Sequence, residues 1–199
     1  MKRSALLFAA MFLVLISGIA SAQDSNLSAN FTGVFSSQAS GNGLFQSPTK
    51  PAGLLLSYRH FFDRNSGIEA NYGYTRGSQN FLDSFGTIAG VQSNVHEITG
   101  AYVFRAGHGP IRPFALAGGG LLVFDPTSNN DQSVVASSTQ AKAAFLYGGG
   151  VDFKLTREVA FRAQYRGLVY KAPDFGNATL DTGAVMHTAE PSIGLVVRF

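Results

Sequence analysis

The charged side chains best placed to do chemistry in this sequence recur at strand-like positions among apolar and small residues: Arg59, Glu69, Glu97, Arg105, Asp152, Arg162 and Arg166. Successive side chains of a β-strand point to opposite sides, so these residues read as parts of one polar face contributed by several strands. Acids and bases enclosed together would pair, because a buried unpaired charge is strongly unfavourable. The chemistry on offer is therefore a salt-bridged filling or, where space remains, a narrow ion path. The histidines offer less. His60, His96, His108 and His187 have no partner at a zinc-ligand spacing. His187, Glu190 and Ser192 invite comparison with a hydrolase triad, but His187 has the opposite parity to the other two, and triads are judged by geometry. The glycine triplets at 118–120 and 148–150 lie inside strand-like stretches with no helix after them, so they are not phosphate loops. Close strand packing explains them better. No catalytic group, metal or cofactor is expected.

The elements that must position these charges follow from a period-two pattern. Ile193, Leu195, Val197 and Phe199 alternate with Ser192, Gly194, Val196 and Arg198. The same alternation recurs at Phe161 to Val169, at Ala143 to Phe153 and at Ile68 to Arg76. Eight strands are predicted, over 27–35, 52–62, 67–76, 95–105, 112–124, 141–155, 159–170 and 189–199. Most reach the roughly 9 to 11 residues that a tilted strand needs to cross a bilayer. The links at 63–66, 106–110 and 156–158 are short and rich in turn formers, whereas those at 36–51, 77–94, 125–140 and 171–188 are long and polar. Short and long alternate, so one end of an up-and-down meander is trimmed close and the other carries four loops.

Residues 1–22 read as a secretory signal peptide, with Lys2 and Arg3, an apolar run from Ala5 to Ile16, and a small-residue cleavage site at 20–22. Residues 23–199 are then one domain. Losing Lys2 and Arg3 brings the 15 basic residues to 13 against 12 acidic ones, and no basic cluster suits nucleic acid. There is no cysteine, so no disulfide framework or acylated N-terminus is expected. No segment of the mature chain is apolar enough for a transmembrane helix.

Period two alone does not separate a membrane barrel from a soluble one; the distribution of residues between the faces does. One face carries Phe, Tyr, Leu and Val, and the other carries the charges together with Gly73, Ala101, Gly148, Gly150 and Gly194. A small barrel could not hold all the large side chains inside, and in water they would form an oversized apolar patch. Facing lipid, they cost nothing, and closure satisfies the backbone. Phe61, Phe62, Phe104, Phe124, Tyr170 and Phe199, near strand ends, are expected in interfacial girdles. The fold class is thus an all-β, eight-stranded antiparallel up-and-down transmembrane β-barrel in the outer membrane, monomeric and in contact with outer-membrane lipid.

GGGVDFKLTREVAFR at 148–162, RPFALAGGG at 112–120 and GLVVRF at 194–199 resemble the OmpA-type outer-membrane β-barrel domain family, over essentially the whole mature chain. That resemblance implies that Ile193, Leu195, Val197 and Phe199 form the C-terminal signal read by the barrel-assembly machinery. It does not imply tethering to peptidoglycan, since the sequence stops at Phe199 where OmpA continues. The role expected is structural or surface-directed, with a surface ligand held through the long loops. A narrow channel for ions or small solutes and a barrel enzyme acting on outer-membrane lipid are the alternatives.

Overall fold

A computed structural model describes residues 25–83, 86–107, 109–127 and 138–199. The signal segment and His108 lie outside these residues. Eleven strands form one sheet: β1 Ser25–Gly33, β2 Phe35–Ser36, β3 Ala39–Gly41, β4 Leu44–Pro48, β5 Ala52–Phe61, β6 Ser66–Asp83, β7 Gly86–Arg105, β8 Ile111–Pro126, β9 Gln140–Lys154, β10 Val159–Lys171 and β11 Val185–Arg198. Eight of them close a ring of antiparallel pairs, β1-β5-β6-β7-β8-β9-β10-β11, and β11 returns to β1. Closure leaves no free sheet edge among the spanning strands, which a lipid-embedded sheet requires.

The ring is staggered. Following paired residues once around it from Ser28, through Ser57, Asn71, Thr99, Gly120, Ala144 and Tyr170, leads to Met186. Ser28 itself pairs with Val196, ten residues further along β11. Such a stagger in eight strands tilts them by about 40° to the barrel axis. Residues in one register row therefore sit at different heights, and charges far apart in register can meet inside.

The sidedness is as expected. Leu54, Ile68, Tyr102, Ile193, Leu195 and Val197 are exposed on the outer face, while Arg59, Glu69, Arg162 and Arg166 are buried within. Tyr165 points outward and Arg166 inward. The girdle expectation needs correcting: Phe62, Phe104 and Phe199 face outward, but Phe61, Phe124 and Tyr170 have inward parity and pack in the core.

At the end with the termini, the turns are tight. Asp63 accepts the N–H groups of Asn65 at 2.7 Å and Ser66 at 2.6 Å, and these donors hold its carboxyl below the usual value. The other end differs from the expectation in two places. The segment 77–94 is no polar loop: β6 and β7 stay paired as far as Asp83 and Gly86, because Phe81, Ala89 and Val91 alternate inward and are buried there. The segment 36–51 folds into β2, β3 and β4, with β4 pairing onto the extension of β6.

Candidate functional site

The seven charged residues assigned to one polar face, Arg59, Glu69, Glu97, Arg105, Asp152, Arg162 and Arg166, all lie inside the ring and are at most 5% exposed. They fall into two clusters. In the cluster nearer the tight turns, Arg59 meets Glu69 through Nε at 2.8 Å and Nη2 at 2.5 Å. Arg162 grips Asp152 with Nε at 2.7 Å and Nη2 at 3.0 Å, and donates from Nη1 to Ser28 at 3.2 Å. The same Nη1 lies 3.7 Å from Glu69 on the opposite wall, and Arg198 reaches Asp152 at 3.9 Å. Arginine is suited to this work because its planar fork engages a carboxylate with two donors while leaving others free.

Aromatic rings floor this cluster. The Arg59 guanidinium lies 4.1 Å above the Phe114 ring and that of Arg105 lies 3.8 Å above Phe61. Arg105 also donates to the Arg64 carbonyl at 3.1 Å, so it belongs to the floor at the turn end.

The second cluster lies nearer the loops. Arg166 pairs with Glu97 through Nη2, donates to Thr99 at 3.4 Å, and has Nη1 3.7 Å from Glu190. Thr99 donates to Glu97 at 2.7 Å. Glu190 and Arg198, although they stand on inward positions, were not among the residues assigned to a network from the sequence. The available signal was register, since Glu190 is the direct partner of Arg166 across the β10–β11 ladder.

Above this cluster the mouth is closed by side chains rather than left open. Phe175 inserts between Phe81 and Phe124 in edge-to-face contacts at 6.3 Å each, and Leu180 and Met186 are buried beside it. Phe175 adopts a φ of 54°, a left-handed conformation that is costly for a bulky residue. Its segment is tied down by Asp174, which receives Gln140 Nε2 at 2.6 Å and Lys142 Nζ at 3.2 Å, and by the Ser138 N–H to the Phe175 carbonyl at 2.9 Å. Gln46, fully buried, donates to the Pro173 carbonyl at 3.3 Å. Burial pushes the Asp174 carboxyl up, but the Gly176 N–H, Gln140 and Lys142 outweigh it and hold the group below its usual value.

The triad-like grouping does not assemble. His187 stands on the outer wall, hydrogen-bonded to the Tyr147 hydroxyl at 2.8 Å, whereas Glu190 and Ser192 are buried inside. His96 is likewise outside, 2.8 Å from the Tyr72 hydroxyl. His60 bonds to Ser25 at 2.9 Å. Among the described residues no three or more His, Cys, Asp or Glu side chains gather as a metal site would require.

Residues 6–199 match the family described as the outer membrane protein beta-barrel domain. No curated protein matches the chain. Among solved structures, OprG from Pseudomonas aeruginosa is similar with a TM-score of 0.63 and 14% identity, over 89% of this chain and 96% of that one. Neisserial surface protein A is similar at 0.60 and 14%, over 88% and 97%. Ail of Yersinia pestis, solved in complex with the heparin analogue sucrose octasulfate, is similar at 0.54 and 19%, over 89% and 99%.

Proposed function

The chain belongs to the outer membrane protein beta-barrel domain family and resides in the outer membrane, and from that premise we propose that it is a closed, non-conducting barrel with a structural or surface-directed role. The observation that supports this is the filling of its interior. Two ion-paired clusters, an aromatic floor and the Phe175 plug occupy successive levels of the lumen. In eight-stranded barrels the interior is just wide enough for side chains to fill it.

Biogenesis fits the same reading. Residues 1–22 serve export. Ile193, Leu195, Val197 and Phe199 form an exposed apolar row ending beside Ser25, where the Phe199 N–H bonds to the Ser25 carbonyl at 3.0 Å. That row is offered to the barrel-assembly machinery before β1 and β11 join. The closed ring has no unpaired spanning strand to recruit a second copy, which supports a monomer.

Partners are met at the loop end. Its described charges are Lys50, Arg76, Lys142 and Lys171 together with Asp83, Asp125, Asp174 and Asp181, and Lys142 is already engaged by Asp174. This mixed surface favours a partner of mixed polarity over a polyanion such as the one held by Ail. No catalysis is proposed; an unchanged lipid A profile in cells expressing the protein is the expected outcome. Planar-bilayer recording of the refolded protein tests the central reading. We expect a silent membrane at high protein density, and discrete conductance steps would overturn the closed-lumen assignment.

A further inference from the structure

The lipid-facing side of the wall is not evenly covered by large side chains. Where β9, β10, β11 and β1 run side by side, one register row reads Gly149, Tyr165 and Pro191, and the row nearer the turns reads Val151, Ala163, Ile193 and Phe31. The small residues among them leave a groove of about 450 Å3, floored by Gly33, Gly149, Ala163 and Pro191. Phe31, Tyr165 and Ile193, all exposed, stand up as its sides. A volume in the range of roughly 300 to 1,000 Å3 is what sites for single small molecules enclose.

At its loop-ward end the groove meets polar atoms. The Tyr147 ring lies across Gly167, where an added Cβ would meet the ring, and its hydroxyl bonds to His187 Nε2 at 2.8 Å. The Tyr165 hydroxyl is near enough to interact with that of Tyr147. Lys171 follows on the same face, in the next outward row after the Val169–His187 pair, and is exposed with no ion pair among the described residues. An apolar trough thus runs up to two hydroxyls, an imidazole and an ammonium group.

The wall of β6 and β7 offers a contrast. It carries a Tyr–His pair of its own, Tyr72 with His96 at 2.8 Å, but nearer the turns Ile68, Ile98 and Tyr102 project outward instead of leaving a trough. Tyrosines gather at the depth where hydrocarbon gives way to headgroups, so each pair marks that level. Within hydrocarbon an apolar surface gains little by exchanging one apolar neighbour for another, and association rests on close packing and polar contacts. Only a molecule with a chain for the trough and an acidic head for the cap obtains both. A second copy packed by a twofold axis would set Lys171 and His187 near their own counterparts, which like charges oppose.

We propose that this part of the wall is a binding site for one phosphate-bearing lipid of the outer leaflet, its acyl chain lying in the groove and its headgroup held by Tyr147, Tyr165, His187 and Lys171. The leaflet follows from the cap's position at the end of the barrel that carries the long loops. Lys171 supplies the counter-charge to the phosphate, and the hydroxyls and imidazole supply hydrogen bonds. The site faces lipid, so it is independent of whether the lumen conducts.

The probe is phosphatidic acid with a photoreactive diazirine on one acyl chain, present as a trace in phosphatidylcholine vesicles that hold the refolded full barrel. Cross-links mapped by mass spectrometry are expected to concentrate on 161–165 and 191–195 over the outward residues of β6 and β7. Ala163→Phe, which fills the trough, should disperse them, and His187→Ala should weaken them. Gly100→Phe, which adds the same bulk to the wall of β7, should leave them unchanged, with the heat-modifiable gel shift confirming that all three variants fold. A wild-type readout needs no variant: phosphatidylcholine bearing the same diazirine should label the groove less than phosphatidic acid does. Labelling spread evenly over the wild-type wall, a concentration that survives in Ala163→Phe, or equal labelling by the two lipids would each overturn the assignment. So would a wild-type dimer in sedimentation that Ala163→Phe dissociates, since it would give the groove to a second copy.

Discussion

The inner and outer halves of the lumen are built from the same kinds of residue and close it in different ways. In the inner half, arginines chelate carboxylates from neighbouring strands and stack on Phe114 and Phe61, so each charge is held by the rigid wall itself. In the outer half, one arginine serves two carboxylates beside a cavity, and the roof is a loop segment carrying Phe175. The inner half belongs to the scaffold, because it cannot open without breaking ladders. The outer half depends on contacts made by connecting segments, which are the usual low-stability parts of a fold.

That contrast can be broken by substitution. The largest effect is expected for Arg162→Ala, which removes the two-donor grip on Asp152, leaving it Arg198 at 3.9 Å, and removes the cross-lumen reach to Glu69. Removing one partner of a buried pair costs about 3 to 5 kcal/mol. Urea titration of folding into lipid vesicles should show that loss, and a change below about 1 kcal/mol would mean the inner cluster is not structural. Phe175→Ala should cost somewhat less, about 3 kcal/mol, since aromatic truncation in a core costs at least that much. Here the loss should be local: hydrogen exchange should accelerate over 172–184 and stay unchanged in β9 and β10. Uniform acceleration would show that the roof and the wall are one cooperative unit.

A smaller effect, about 1 to 3 kcal/mol, is expected for Gly120→Ala, because the added methyl meets the Ile98 carbonyl and the Thr99 backbone across the β7–β8 ladder. At Gly100 the nearest atom to such a methyl is 3.8 Å away, so Gly100→Ala should be tolerated and serves as its control. The smallest effect concerns the Asp174 clamp, whose partly exposed ion pair is worth under about 1 kcal/mol. Its carboxyl is held below the ordinary value of 3.8, so the contribution is complete above that pH and is lost as pH falls through the lower value in the folded protein. Exchange over 172–184 should therefore rise only below about pH 4 in the wild type and show no such step in Asp174→Asn. A step near neutrality would place the control in another group.

Much of the architecture was legible as alternation. Strand number, the polar interior and the apolar exterior follow from side chains pointing to opposite faces, a property of each strand alone. The tight turns were legible for the same local reason, as Asp63 illustrates. The Ser, Asn, Gln and Gly content of the segment 77–94 suggests a solvated loop, while its few apolar residues keep strand parity along the continued β6–β7 ladder and Phe81 finds Phe175 to pack against. Their place near strand ends suggests girdle positions for Phe61, Phe124 and Tyr170, but their parity turns them inward.

Parity belongs to the chain and stagger belongs to the closed ring. Arg59 with Glu69, and Asp152 with Arg162, stand opposite each other across tight hairpins, so those pairings are nearly written in the local order of residues. Glu69 with Arg162, and Glu97 with Arg166, join residues whose strands are not neighbours. Their meeting requires the ten-residue offset between Val196 and Met186 on one strand. That offset arises only when the last strand finds the first, because tilt and diameter are then set for all eight strands together.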